Sequence, residues 1–195
     1  MVAGGWILKT IGSHMPFIKF ARRDRFTYHL PPVKSRAYER FYRNIIDRGL
    51  GREWGPHAVT IAITQQCNAH CVHCSAFQRS DEGTLTTGEW CDVIDQCAEL
   101  GITDIIITGG EPLIRTDLDV LIRRIVENDC VADIFSNGSM LTEENLDKLM
   151  EAVCDTIFVS LDRPVAAEHD ALRGVPGLYE EATAGIRRAV DRGMA

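Results

Sequence analysis

The sequence predicts an α/β fold in which helices cover a parallel sheet. It would begin a (β/α) barrel or a doubly wound sheet. Three observations predict it. Short runs rich in Ile, Val and Thr recur from residue 58 onward. Longer segments between them return apolar residues at helical spacing. Cap and stop residues mark the changeovers. Right-handed crossovers would put each helix on the same side of the sheet.

Taken in order, residues 58–64 read as a buried strand. Residues 86–100 read as a helix with an apolar stripe of Trp90, Val93, Ile94, Cys97 and Leu100. Thr86 followed by Glu89 is a capping box, and Gly101 is a natural stop. Residues 104–108 form a second strand with Ile throughout its middle. Residues 117–128 form a second helix, with Thr116 as its expected N-cap. Residues 131–136 read as a third strand and 142–153 as a third helix with Glu143 and Glu144 in its first turn. Residues 156–161 form a fourth strand, and 178–192 a fourth helix stopped by Gly193. A fifth strand is expected after Ala195, because four parallel strands alone leave an open edge. The chain is therefore expected to be part of a longer protein, or to have that edge covered by something else.

Residues 1–57 lack this rhythm, and Pro16, Pro31 and Pro32 interrupt them. A helix is expected at 35–47, with Ala37, Tyr38, Phe41 and Ile45 partly on one face. The chain divides into a basic N-terminal extension, 1–57, and an α/β core, 58–195. The extension carries 11 Lys and Arg against 4 Asp and Glu, and the core 10 against 24. So acidic a core argues against nucleic acid as its partner. The extension is expected to pack on the core; contact with an anionic partner or a membrane surface is the alternative.

A 195-residue chain with 45% hydrophobic and 25% charged residues is globular, not disordered. No apolar run is long enough to span a bilayer. The first residues are too short and Gly-rich a stretch for a signal peptide. Seven cysteines, three of them within eight residues, fit a reducing cytoplasm better than a disulfide scaffold.

Chemistry concentrates at four expected strand ends. Cys67, Cys71 and Cys74 form a C-x3-C-x2-C run after the first strand. Three thiolates so close suit a metal or a cluster, and three leave one iron of a [4Fe–4S] cube without a protein thiolate. Zinc held by these cysteines with His70 or His73 is the alternative. Gly109-Gly110-Glu111-Pro112 follows the second strand. Its glycines would let a ligand approach the backbone, and Glu111 would accept an ammonium group. Ser136-Asn137-Gly138 follows the third strand and Ser160-Leu161-Asp162 the fourth. Each is weak alone. Together they occupy the face where parallel α/β folds assemble ligand sites.

This conjunction resembles the radical S-adenosylmethionine (SAM) superfamily over about residues 58–192. The further stretch His169-Asp170-Ala171-Leu172-Arg173-Gly174 is similar to its cofactor-building and peptide-modifying (SPASM/twitch) subgroup. The resemblance implies a partial barrel of radical SAM type, with four βα units of an expected six. It implies that Cys67, Cys71 and Cys74 ligate a [4Fe–4S] cluster whose fourth iron chelates SAM. Glu111 would receive the SAM ammonium beside Gly109 and Gly110. Ser160 and Arg173 would hold the carboxylate, the backbone near His73 would meet the adenine, and Asn137 would line the pocket. The implied activity is reductive cleavage of SAM and hydrogen abstraction from a small-molecule or peptide substrate. A flavodoxin or ferredoxin would supply the electron. An Fe–S or zinc protein for electron transfer or structure is the rival, as is an inactive fragment. The family often has Gly where this chain has Arg163, which is expected to be solvated. Cys91, Cys97, Cys130 and Cys154 are expected to pack as small hydrophobes.

Overall fold

Strands form where β-branched residues are densest. The computed structural model describes residues 31–52, 55–74 and 83–194. It also gives the backbone of a short antiparallel pair, β1 (Ile18–Lys19) and β2 (Asp24–Arg25). Most of the basic extension, including Pro16 and the first residues, lies outside the described residues.

Four parallel strands build the main sheet: β3 (Ala58–Ala62), β4 (Asp104–Thr108), β5 (Val131–Ser136) and β6 (Thr156–Val159). They lie in chain order, β3-β4-β5-β6. Strands β4 and β5 have the bounds that the sequence predicts. Ile63 continues β3 by donating its N–H to the Thr108 carbonyl, 3.0 Å. The helices are α1 (Arg36–Gly49), α2 (Thr87–Glu99), α3 (Leu118–Glu127), α4 (Glu143–Glu151), α5 (Ala166–Arg173) and α6 (Leu178–Asp191).

Side-chain alternation divides the sheet's two faces. Ile61, Ile63, Ile105, Ile107, Ala132 and Ile134 are buried in one core with Ile94, Leu121, Ile122, Ile125, Leu146 and Leu149 of the helices. The opposite face is more open: Thr60 and Ala62 are exposed, and Phe135 is 40% exposed. Phe135 stacks on Phe158 of the neighbouring strand, ring centroids 5.0 Å apart.

Helix α1 starts at Ser35, whose Oγ accepts the Tyr38 N–H. It packs beneath the sheet. Arg40 Nη2 donates to the carbonyls of Asn128 and Asp129, and Asn44 Nδ2 to that of Gly101. The Phe41 ring meets His57 edge-on. Ala37, Tyr38 and Phe41 are buried as expected, whereas Ile45 faces solvent.

Three expectations need correction. Leu100 is exposed because it is the C-cap of α2, already turning away from the stripe. Helix α3 is capped at Asp117, not Thr116. Its side chain makes no cap hydrogen bond and is held by Arg115, whose Nε and Nη2 reach Asp117 Oδ1 and Oδ2 at 2.9 and 2.7 Å. Helix α5 was not foreseen: only His169 is buried along it, so its sequence shows no apolar stripe. The capping box of Thr86 and Glu89 is present as read.

Asp117 also accepts from Thr87 Oγ1, while Arg115 Nη1 donates to the Ile63 carbonyl. One ion pair thus joins the starts of α2 and α3 to the end of β3. The Arg115 guanidinium holds the Asp117 carboxyl below the usual carboxylate range. A depressed folded pKa gives stability that is present above the unfolded value and lost as pH falls through the folded one. Asp117→Asn should therefore lower stability by about 1–2 kcal/mol at pH 7. Urea midpoints at a series of pH values should show the gap closing below about pH 4.

Candidate functional site

The loop after β3 must present three thiols and still satisfy its own backbone. It does so by docking on distant chain. His70 N–H donates to the Arg173 carbonyl at 2.8 Å, and Val72 N–H to the Leu172 carbonyl at 2.9 Å. Both carbonyls belong to the last turn of α5, where a helix leaves acceptors free. Gly174 caps that helix with φ 69°, and a Cβ there would lie 2.7 Å from the His70 carbonyl oxygen. The glycine thus lets the cysteine loop seat against the helix end.

On its other side the loop's leading segment pairs with the Gly-Gly-Glu turn. Gly110 N–H donates to the Thr64 carbonyl and Glu111 N–H to that of Gln66, each at 2.8 Å. A Cβ on Gly110 would sit 2.1 Å from the Gln66 oxygen, and one on Gly109 2.4 Å from that of Thr64. The sequence suggested that these glycines admit a ligand. Their close neighbour is the chain's own backbone.

Glu111 is fully buried. Its Oε1 accepts from Ser136 Oγ and Leu113 N–H, at 2.9 and 3.2 Å, and its Oε2 from Asn137 N–H at 2.7 Å. Burial pushes its carboxyl above the usual range, against the pull of those donors. The carboxylate therefore bolts the β4 turn to the β5 turn and is not among the cleft-lining groups. Asn137 extends the bolt. Its Nδ2 donates to Asn68 Oδ1 at 2.8 Å, and Asn68 Nδ2 donates to Ser139 Oγ at 2.8 Å. Asn68 lies between two of the cysteines, so the β5 turn grips the cysteine loop directly.

These contacts surround a cleft of about 170 Å³. Cys67, Cys71, His73 and Cys74 line it with Gly109, Gly110, Asn137, Ser160 and Arg173, and Phe135 adds an aromatic wall. The structure thus brings together every site residue read from the sequence except Glu111, which stands behind the wall. Two donors aim at sulfur: Ala69 N–H at Cys67 Sγ, 3.4 Å, and Arg173 Nη1 at Cys71 Sγ, 3.6 Å. Such donors suit thiolate ligands of a cluster, whose potential they tune. Among the described residues no three His, Cys, Asp or Glu side chains converge as ligands of a single metal ion must. Three thiolates lining one cleft suit a cubic cluster, in which each would ligate its own iron.

Three residues enter the site that the sequence did not single out for a role. Asp162 Oδ2 lies 2.7 Å from Arg173 Nε and 3.8 Å from His73 Nε2. His169, fully buried, accepts the Asp162 N–H on Nδ1 at 3.2 Å. Asn68 is the third. Asp162 stands two residues beyond Ser160 at one strand end, a signal that was legible. Arg163 is exposed, as expected. Cys130 and Cys154 are buried, and burial pushes the Cys130 thiol up.

Gly110→Ala should displace Gln66 and the cysteine loop, at a cost of about 1–3 kcal/mol. Iron content after reconstitution, measured beside the urea midpoint, should fall more steeply than the fold loosens.

Comparison with known proteins agrees with this geometry. The family model of the Radical SAM superfamily matches residues 61–195. An AdoMet-dependent heme synthase of Methanosarcina barkeri is 37% identical over 133 residues, 67% of this chain and 38% of that protein. A PqqA peptide cyclase of Granulibacter bethesdensis is 29% identical over 141 residues, 71% of this chain and 38% of that protein. The chain therefore spans under two fifths of the length of these curated relatives. In fold it is similar to Streptococcus suis SuiB bound to S-adenosylmethionine, with TM-score 0.59 and 20% identity over 76% of this chain and 36% of that one. SuiB bound to its precursor peptide SuiA gives TM-score 0.60 and 17% identity, covering 94% and 41%. By motif, topology and family match, the chain belongs to the radical SAM superfamily, whose members use a [4Fe–4S] cluster and SAM.

Proposed function

We propose that this chain is the SAM-binding part of a radical SAM enzyme that acts in cofactor biosynthesis or peptide modification. One observation carries the reading: three thiols line one cleft with one guanidinium and with residues at or after the ends of all four parallel strands. Cys67, Cys71 and Cys74 would hold the [4Fe–4S] cluster, which would bind SAM in the same cleft. When bound, the cluster supplies the electron that splits SAM, and the split supplies the carbon-centred oxidant that takes hydrogen from the substrate.

The protein's own task is to position and to shield. Arg173 supplies a planar fork for the SAM carboxylate, beside Ser160. The backbone edge of Gly109 and Gly110 lies by the ammonium. Glu111 acts behind it, fixing that edge against Asn137. The backbone near His73 borders the adenine. Phe135 keeps the inner side of the cleft apolar. The 37% identity to a heme synthase, against 29% to a peptide cyclase, favours a cofactor precursor over a peptide as substrate. The electron comes from a flavodoxin or ferredoxin. The enzyme works in the reducing cytoplasm, with residues 1–57 as an extension on the core at 58–195. Among the described residues no helix is long and apolar enough to cross a membrane.

The test uses the full-length protein, reconstituted with iron and sulfide without oxygen. Dithionite and SAM should yield 5′-deoxyadenosine, and Cys71→Ala should abolish it. A cluster that reduces but never cleaves SAM would favour electron transfer instead.

A further inference from the structure

We propose that Asp162 is a charge placeholder: it neutralises Arg173 until a carboxylate ligand arrives, then yields the guanidinium to it. The inference rests on the reading of Arg173 as the carboxylate site.

Arg173 is the one permanent cation among the described residues that line the cleft. Its side chain is only 11% exposed, so a counter-charge matters there. Four groups of negative character compete for it. Cys71 Sγ lies 3.6 Å from Nη1 and becomes a thiolate once it ligates. The Ser160 carbonyl accepts from Nη2 at 3.4 Å. The carbonyls of the last α5 turn, which accept from the cysteine loop, lie at its own backbone. Asp162 Oδ2 lies 2.7 Å from Nε. An incoming carboxylate is a fifth. One cation cannot serve them all, and Asp162 is the group best able to leave.

Three features make it so. First, the Arg173–Asp162 contact is an ion pair without an aligned hydrogen bond: Nε has no hydrogen-bond partner despite the short distance. A misaligned pair supplies charge but little orientation. Second, the Asp162 side chain is 29% exposed, so water receives it at small cost when it turns away. His73 Nε2 waits on the far side of the same oxygen, at 3.8 Å. Third, only the side chain needs to move. The Asp162 backbone is pinned by its N–H bond to buried His169, whose ring packs edge-on to Tyr179. The carboxylate therefore leaves and returns to one place.

This assigns opposite signs to two readings of the residue. A ligand-holding or purely structural Asp162 would make its removal weaken SAM binding. A placeholder makes its removal strengthen it. The experiment uses the full-length holo protein with its cluster intact. SAM affinity is measured by equilibrium dialysis, and the change in the electron paramagnetic resonance signal of the reduced cluster on SAM addition gives a second readout. Asp162→Asn and Asp162→Ala should bind SAM about fivefold more tightly than wild type at unchanged iron content. Asp162→Glu should not. Decarboxylated SAM, which offers no carboxylate, should gain nothing from either neutral variant. Equal or weaker SAM binding by both neutral variants would overturn the inference and leave the radical SAM reading standing. So would an equal gain for decarboxylated SAM. Loss of the cluster in both variants would make Asp162 structural and end the proposal. Failure of the wild-type holo protein to bind SAM would overturn both readings together.

Discussion

The site depends on one constraint: the cysteine loop must spend its backbone groups elsewhere in order to leave its sulfur atoms open. An eight-residue loop cannot satisfy its amides internally without folding over its own thiols. Here His70 and Val72 donate to the end of α5, about a hundred residues further along the chain, while Thr64 and Gln66 accept from Gly110 and Glu111. The sheet order and the length of α5 are thus conditions for an open loop. The thiols face the cleft because the rest of the loop is held from both sides.

The same economy explains the two least obvious residues. Glu111 carries a carboxyl group into the interior, a costly act unless donors surround it. Three do, from two different strand-end turns. Those hydrogen bonds join the two turns into one wall. Gly110 is glycine because that wall lies directly against the Gln66 backbone, with no room for a methyl group. Positioning of a ligand here is therefore accomplished mostly by groups the ligand never touches.

Much of this was legible from sequence, and the reasons are local. Strands β4 and β5 could be bounded because Ile and Val runs end abruptly at Gly109 and Asn137. The α2 start could be placed because a capping box needs only Thr86 and Glu89. The cysteines were evident from spacing alone. What failed was relational. Thr116 looked like a cap, but Arg115 recruits Asp117 from one residue beyond it. Helix α5 has no stripe, since it buries a histidine and otherwise offers backbone carbonyls to a loop. Glu111 looked like a ligand-facing acid because sequence shows its charge and not its burial. Asp162 passed as part of a strand-end motif because its partner Arg173 is eleven positions away on an unforeseen helix.

A cleft assembled this way links binding to folding. Its walls come from the ends of β3, β4, β5 and β6 and from the end of α5, so no partly folded form contains it. A group that bridges the three cysteines to Arg173 touches two segments that meet only when all four βα units are in place. It therefore binds the native state alone, and its free energy adds to the stability of the whole sheet. The open face bearing Phe135 shows why that matters. The helix side of the sheet is closed by Ile and Leu, but on the other side Thr60, Ala62 and Phe135 are exposed and Ile106 is half-buried. A group held in the cleft therefore reinforces the fold that builds it.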